Sequence, residues 1–158
     1  MSTSQRADVS LPFDAPTPLA ALAGGDHDVA PYLVGTELWF SRKSSSTTFD
    51  IFHVSLAGAG ATPVPETQLN AVNTDDGNPV VSADGLTVFF VRGGVGLMEA
   101  RRATLQTPFC IRDVPELNAV DAGGGTPSWL SPDGCRPYLT SNSISPGYGI
   151  RVASRCAP

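Results

Sequence analysis

The chain has 158 residues, enough for one domain with a real core, and 41% of them are hydrophobic, which excludes a disordered chain. Its net charge of −5 argues against a generic nucleic-acid binder, and no stretch approaches the roughly 20 apolar residues of a membrane-spanning helix. Fourteen prolines and sixteen glycines disfavour long helices and suit a chain that turns about every eight to twelve residues.

Residues 1–10 carry little apolar content and read as a flexible tail. The start, Met1-Ser2-Thr3-Ser4-Gln5-Arg6, lacks the apolar centre of a secretory leader, so either the protein is made in the cytoplasm or a leader has been removed. From Leu11 the chain divides into three repeats, about 11–59, 60–107 and 108–156. Each is read as four strands. The outer strands are Leu11–Leu19, Pro63–Leu69 and Phe109–Leu117; the inner ones are Pro31–Val34, Pro79–Ser82 and Ser128–Leu130. The second strands are Glu37–Arg42, Thr87–Arg92 and Arg136–Ser141, and the third are Asp50–Leu56, Leu97–Arg102 and Ile150–Arg155. The expected class is all-β.

The repeats carry their own signatures. Leu69-Asn70-Ala71-Val72 recurs letter for letter as Leu117-Asn118-Ala119-Val120, 48 residues on, and Ser82-Ala83-Asp84-Gly85 returns as Ser131-Pro132-Asp133-Gly134, 49 residues on. A degenerate copy places Gly35 before Leu38-Trp39-Phe40. Asp84 and Asp133 are read as turn residues that accept hydrogen bonds from the backbone two residues ahead, with a glycine after each to take positive φ. Val88 and Phe90 alternate with Phe89 and Val91, so this strand is expected to be buried on both faces.

Pro79-Val80-Val81-Ser82-Ala83-Asp84-Gly85 and Trp129-Leu130-Ser131-Pro132-Asp133-Gly134, with Ala100-Arg101-Arg102 and Ala153-Ser154-Arg155, resemble the TolB-like β-propeller repeat (a Ser-Pro-Asp-Gly, WD40-like repeat) over about Leu11 to Arg155. The first repeat departs from it, since Val34-Gly35-Thr36 lacks the Ser-x-Asp. The resemblance implies three four-stranded propeller blades. Propellers have about four to eight blades, so three cannot close a ring. The chain opens with an outer strand that follows no blade and ends with a third strand that has no outer neighbour. The expectation is a homodimer forming one six-bladed propeller, each N-terminal strand completing the partner's last blade. A fragment of a longer propeller, or an open array, is the alternative.

Of three cysteines, Cys135 and Cys156 stand at the start and end of antiparallel strands, a geometry that suits a disulfide; Cys110 is then a buried free thiol. The alternative is three reduced core residues. A bridge fits a periplasmic or extracellular protein.

Propeller ligands gather at the channel mouth. The loops placed there contribute Asp26, His27, Asp28, Arg42, Lys43, Asp75, Asp76, Arg92 and Asp121, an acidic ring facing three basic residues, able to hold a peptide terminus, a sugar or a cation. Asp26, His27 and Asp28 have the chemistry of a metal site, but a solvated turn whose carboxylates cap amides is the preferred reading, and no cofactor or metal is called for. No catalytic residue is assigned. There is no Gly-x-Ser-x-Gly, His53 reads as a strand-packed histidine, Asp75 and Asp76 point apart, and Gly123-Gly124-Gly125 lacks the Lys-Ser/Thr of a phosphate loop. Trp39 and Trp129 read as core between blades. The resemblance implies a non-catalytic exported binding or scaffold module for a protein, peptide or cell-envelope glycan. The alternatives are a small metal-assisted hydrolase or lyase using the acidic loops, and a regulatory propeller of the prolyl-oligopeptidase type without its hydrolase.

Overall fold

A computed structural model describes residues 1–22, 27–43, 47–58, 60–119, 125–141 and 149–154. The chain is all-β, with four antiparallel sheets, none closed on itself among the described residues. The short strands β1 (Ser2–Thr3) and β2 (Thr17–Pro18) pair with each other. A first four-stranded sheet runs β3 (His27–Val34), β4 (Glu37–Lys43), β5 (Asp50–Ser55), β6 (Val64–Pro65). A second repeats that order with β7 (Asp76–Val81), β8 (Thr87–Arg92), β9 (Gly96–Arg101) and β10 (Cys110–Asp113). After one helical turn, α1 (Pro115–Asn118), a three-stranded sheet follows from β11 (Thr126–Leu130), β12 (Pro137–Ser141) and β13 (Gly149–Val152).

The inner, second and third strands form near their expected places, whereas the outer ones are cut short. Pro63–Leu69 yields only β6, Phe109–Leu117 yields β10 and then α1, and Leu11–Leu19 yields β2 alone. Proline explains the shortening, because Pro12, Pro16, Pro18, Pro63 and Pro65 have no N–H for a ladder and Pro115 is preorganised to open a helical turn. Met1–Thr3, placed by sequence within the tail, is tied down by the pairing of β1 with β2, and Met1 packs on a buried cluster.

The aspartates of the two turns after the inner strands behave as their sequence suggests. Asp84 Oδ1 accepts from Leu86 N at 3.0 Å and Asp133 Oδ1 from Cys135 N at 3.0 Å. Ser82 Oγ donates to Asp84 Oδ1 and Ser131 Oγ to Asp133 Oδ1, and Gly85 and Gly134 take φ of +70° and +69°. These bonds, the serine hydroxyl's first and the backbone amide's second, hold both carboxyls below the ordinary carboxylate value.

Burial then stacks the sheets. Trp39 and Ile51 of the first sheet meet Val81, Val88, Phe90, Met98 and Ala100 of the second. Val80, Phe89 and Leu97, on the opposite face of the second sheet, meet Leu130 and Leu139 of the third. Strand β8 is therefore buried on both sides, as its alternation indicates. The other face of the first sheet, Leu38, Phe40 and Val54, is covered by Leu22, Leu19 and Met1. Among the described residues, the outward face of the third sheet is uncovered. Trp129 is 44% exposed, Ile150 77% and Val152 52%. This corrects the reading of Trp129 as core, while Trp39 is buried.

Candidate functional site

The inner strands β3, β7 and β11 come together in the middle of the molecule. Strand β7 approaches β4 so closely that a Cβ on Gly77 would lie 2.8 Å from Ser41 Oγ. That hydroxyl accepts from Asn78 N at 2.9 Å, joining the first two sheets. Each inner strand has a bulge or register shift at its centre, between Val29 and Tyr32, between Gly77 and Val80, and between Pro127 and Trp129. Ala30 and Asn78 take φ of +52° and +53° there, each followed by a proline. The three irregularities face one cavity of about 190 Å³, walled by Pro31, Pro79 and Pro127 with Tyr32, Asn78 and Ser128. Tyr32 packs against both principal clusters. Burial raises its pKa above the ordinary phenol value.

The charged residues placed by sequence at the mouth are largely engaged with each other. Arg42 grips Asp28 with two bonds, Nε–Oδ1 at 2.7 Å and Nη2–Oδ2 at 2.8 Å. Arg92 Nε meets Asp76 Oδ1 at 2.7 Å, and its Nη2 donates to Leu69 O at 2.6 Å. Asp76 Oδ2 accepts from Ala71 N at 2.6 Å. In each pair the residues sit opposite one another on the inner and second strands, Asp28 across from Arg42 and Asp76 across from Arg92. These are ion pairs between neighbouring strands, with Asp76 fully buried. Asp50, across from Arg42 on β5, has its pKa raised by burial and then by the Asp76 charge.

Asp75 Oδ1 accepts from Phe49 N at 2.8 Å while its neighbour Asp76 serves Arg92, so the two adjacent carboxylates do point to different partners. His27, exposed, lies 6.2 Å from the Phe49 ring by centroids, and Lys43 Nζ is 5.8 Å from the same ring. His27, Lys43 and Phe49 thus form one aromatic and cationic corner of the rim. Asp26 and Asp121 lie outside the described residues. No group of three His, Cys, Asp or Glu positioned to hold a metal occurs among the described residues. His53 stacks on Trp39 at 5.0 Å and lies 3.6 Å from Glu37.

Cys135 is disulfide-bonded; Cys156, the partner expected from sequence, lies outside the described residues. Cys110 is a free thiol, as expected, but exposed rather than buried, because β10 is an edge strand.

Two features escaped sequence reading. Asn70 and Asn118 bind strand backbones, although their Leu-Asn-Ala-Val repeat marked them as special. Glu99, 1% exposed, is held by Arg101 Nε at 2.8 Å and Arg112 Nη2 at 2.8 Å. Nothing in the local pattern distinguishes this glutamate from a solvated one.

No protein-family profile matches this chain, and no curated protein matches it. No helix among the described residues is long and apolar enough to cross a membrane.

Proposed function

We propose that the three larger sheets are blades of a TolB-like propeller, and that two copies form one six-bladed ring. In this reading the protein is a non-catalytic binding or scaffold module of the periplasm or extracellular space, taking a peptide or protein partner at the channel mouth. The observation that carries it is repetition. Consecutive sheets reuse one strand order, and two successive seams reuse one asparagine contact, around inner strands that converge on a single cavity. The disulfide at Cys135 supports an oxidising compartment. Asp28 and Asp76, each committed to an arginine, weigh against the metal-assisted hydrolase alternative.

The rim offers His27, Lys43 and Phe49 for recognition, a set suited to a peptide carrying an acidic or C-terminal carboxylate beside an apolar side chain. Panning a random-peptide library against the protein tests this. Enriched peptides should carry that pairing and lose at least ~tenfold in affinity to a Lys43→Ala/Phe49→Ala variant. Enriched peptides that bind the variant unchanged, or no enrichment at all, contradict the assignment.

A further inference from the structure

The seams between consecutive sheets obey one pattern. Where the first sheet meets the second, β6 pairs with β5, placing Val64 opposite His53. The chain then turns, with Glu66 N donating to Ile51 O at 2.9 Å and Leu69 N to Glu66 O at 2.9 Å. Where the second meets the third, β10 pairs with β9, placing Arg112 opposite Glu99. Again the chain turns, with Val114 N donating to Leu97 O at 3.2 Å and Leu117 N to Val114 O at 2.9 Å.

The N-terminal segment repeats this arrangement. Thr17 of β2 lies opposite Thr3, Leu19 N donates to Met1 O at 3.1 Å, and Leu22 N donates to Leu19 O at 2.9 Å. Strand β2 therefore corresponds to β6 and β10, and Leu22 to Leu69 and Leu117. The strand paired with β2 stands where β5 and β9 stand in the other two seams. That strand is β1, with Met1 at the place of Ile51 and Leu97.

Cross-strand register locates the other candidate for that place. Trp39 opposes His53, Phe89 opposes Glu99 and Tyr138 opposes Val152, so Val152 corresponds to His53 and Glu99, and Ile150 to Ile51 and Leu97. Ile51 and Leu97 are fully buried, whereas Ile150 is 77% exposed. Among the described residues no strand pairs with the outer edge of β13. One unfilled third strand and one outer strand filled by a stand-in are present in every copy.

We infer that Met1–Thr3 is a latch occupying the edge at which β13 of a second copy docks. The two strands compete for β2, so release of β1 controls assembly. This rests on the two-copy ring proposed above. The latch is built weakly. It is a two-residue strand with polar Ser2 and Thr3, and ladders that short are marginal. β13 brings four residues with Ile150 and Val152, whose apolar surface is exposed until it docks. The sequence at this seam also departs from the other two. Asn70 and Asn118 follow Leu69 and Leu117, but alanine stands at position 23, after Leu22.

Register predicts Thr17 of one copy opposite Val152 of the other. In a Cys110→Ser background, the Thr17→Cys/Val152→Cys pair should oxidise to a two-chain species on a non-reducing gel. A Thr3→Cys/Thr17→Cys bridge, which locks β1 in place, should hold the protein at the mass of one chain. Thr3→Pro should lower the concentration at which the mass doubles, and Ile150→Lys, at an exposed site that leaves the single chain folded, should raise it by at least ~tenfold. A mass that doubles without the 17–152 bridge, and is indifferent to the 3–17 lock, overturns the latch and leaves the ring standing. A mass of one chain at every concentration overturns the ring and the latch with it.

Discussion

Asn70 holds both backbone groups of Ile51: its Oδ1 accepts from Ile51 N at 2.7 Å and its Nδ2 donates to Ile51 O at 3.1 Å. Asn118 does the same to Leu97, at 2.8 Å and 3.2 Å. Each asparagine follows a leucine wedged against a buried cluster, Leu69 within one and Leu117 beside the other. A side-chain amide presents a donor and an acceptor side by side, the complement of one extended residue. That is why the Leu-Asn-Ala-Val sequence recurs where two sheets must be joined.

Removing either clamp leaves one buried strand N–H, that of Ile51 or Leu97, without its acceptor. Asn70→Ala and Asn118→Ala should each cost about 1–3 kcal/mol in urea unfolding. Asn70→Asp should not rescue, because it replaces the donor facing Ile51 O with a second acceptor. Equal stability of asparagine and aspartate variants would contradict the clamp.

The turn aspartates give an acid dependence of known sign. Asp84 and Asp133 have folded pKa values below the ordinary 3.8, so their contribution is whole above that value and is lost as pH falls through the lowered ones. Asp84→Asn and Asp133→Asn should lower Tm at neutral pH and flatten its fall below about pH 4. Parallel pH profiles for variant and native protein would count against this role.

Much of the architecture is readable from residues alone, for definite reasons. The alternation of Val88 and Phe90 with Phe89 fixes a doubly buried strand because a strand's period is two, and Ser-x-Asp-Gly specifies a turn by bonds within four residues. The exposure of Trp129 and the pairing of the mouth charges are not legible locally because their surroundings come from distant chain segments. Nothing near Trp129 says that no layer covers it, and nothing near Asp28 says that Arg42 lies across the ladder. The outer strands were overextended because apolar content was weighted above the missing N–H groups of their prolines.

The two aromatic positions separate core from surface. Phe90→Ala, at a fully buried site, should cost about 3–5 kcal/mol. Trp129→Ala should cost far less in the single chain, and should instead weaken association. A large loss of single-chain stability from Trp129→Ala would mean that its face is already covered.

Glu99 is a buried carboxylate balanced by two arginines that are each about half exposed. Removing both, in Arg101→Ala/Arg112→Ala, should cost about 3–5 kcal/mol by taking away two cations that offset the buried charge, and adding Glu99→Gln should recover part of it. A double-mutant cycle showing no coupling would refute the ion-pair cluster.

The central claim is that each chain is half of a ring. Light scattering on the native protein across a wide concentration range tests it most directly. The mass should rise from one chain towards two and stop there. A mass that stays at one chain throughout, or that climbs past two without limit, would contradict it.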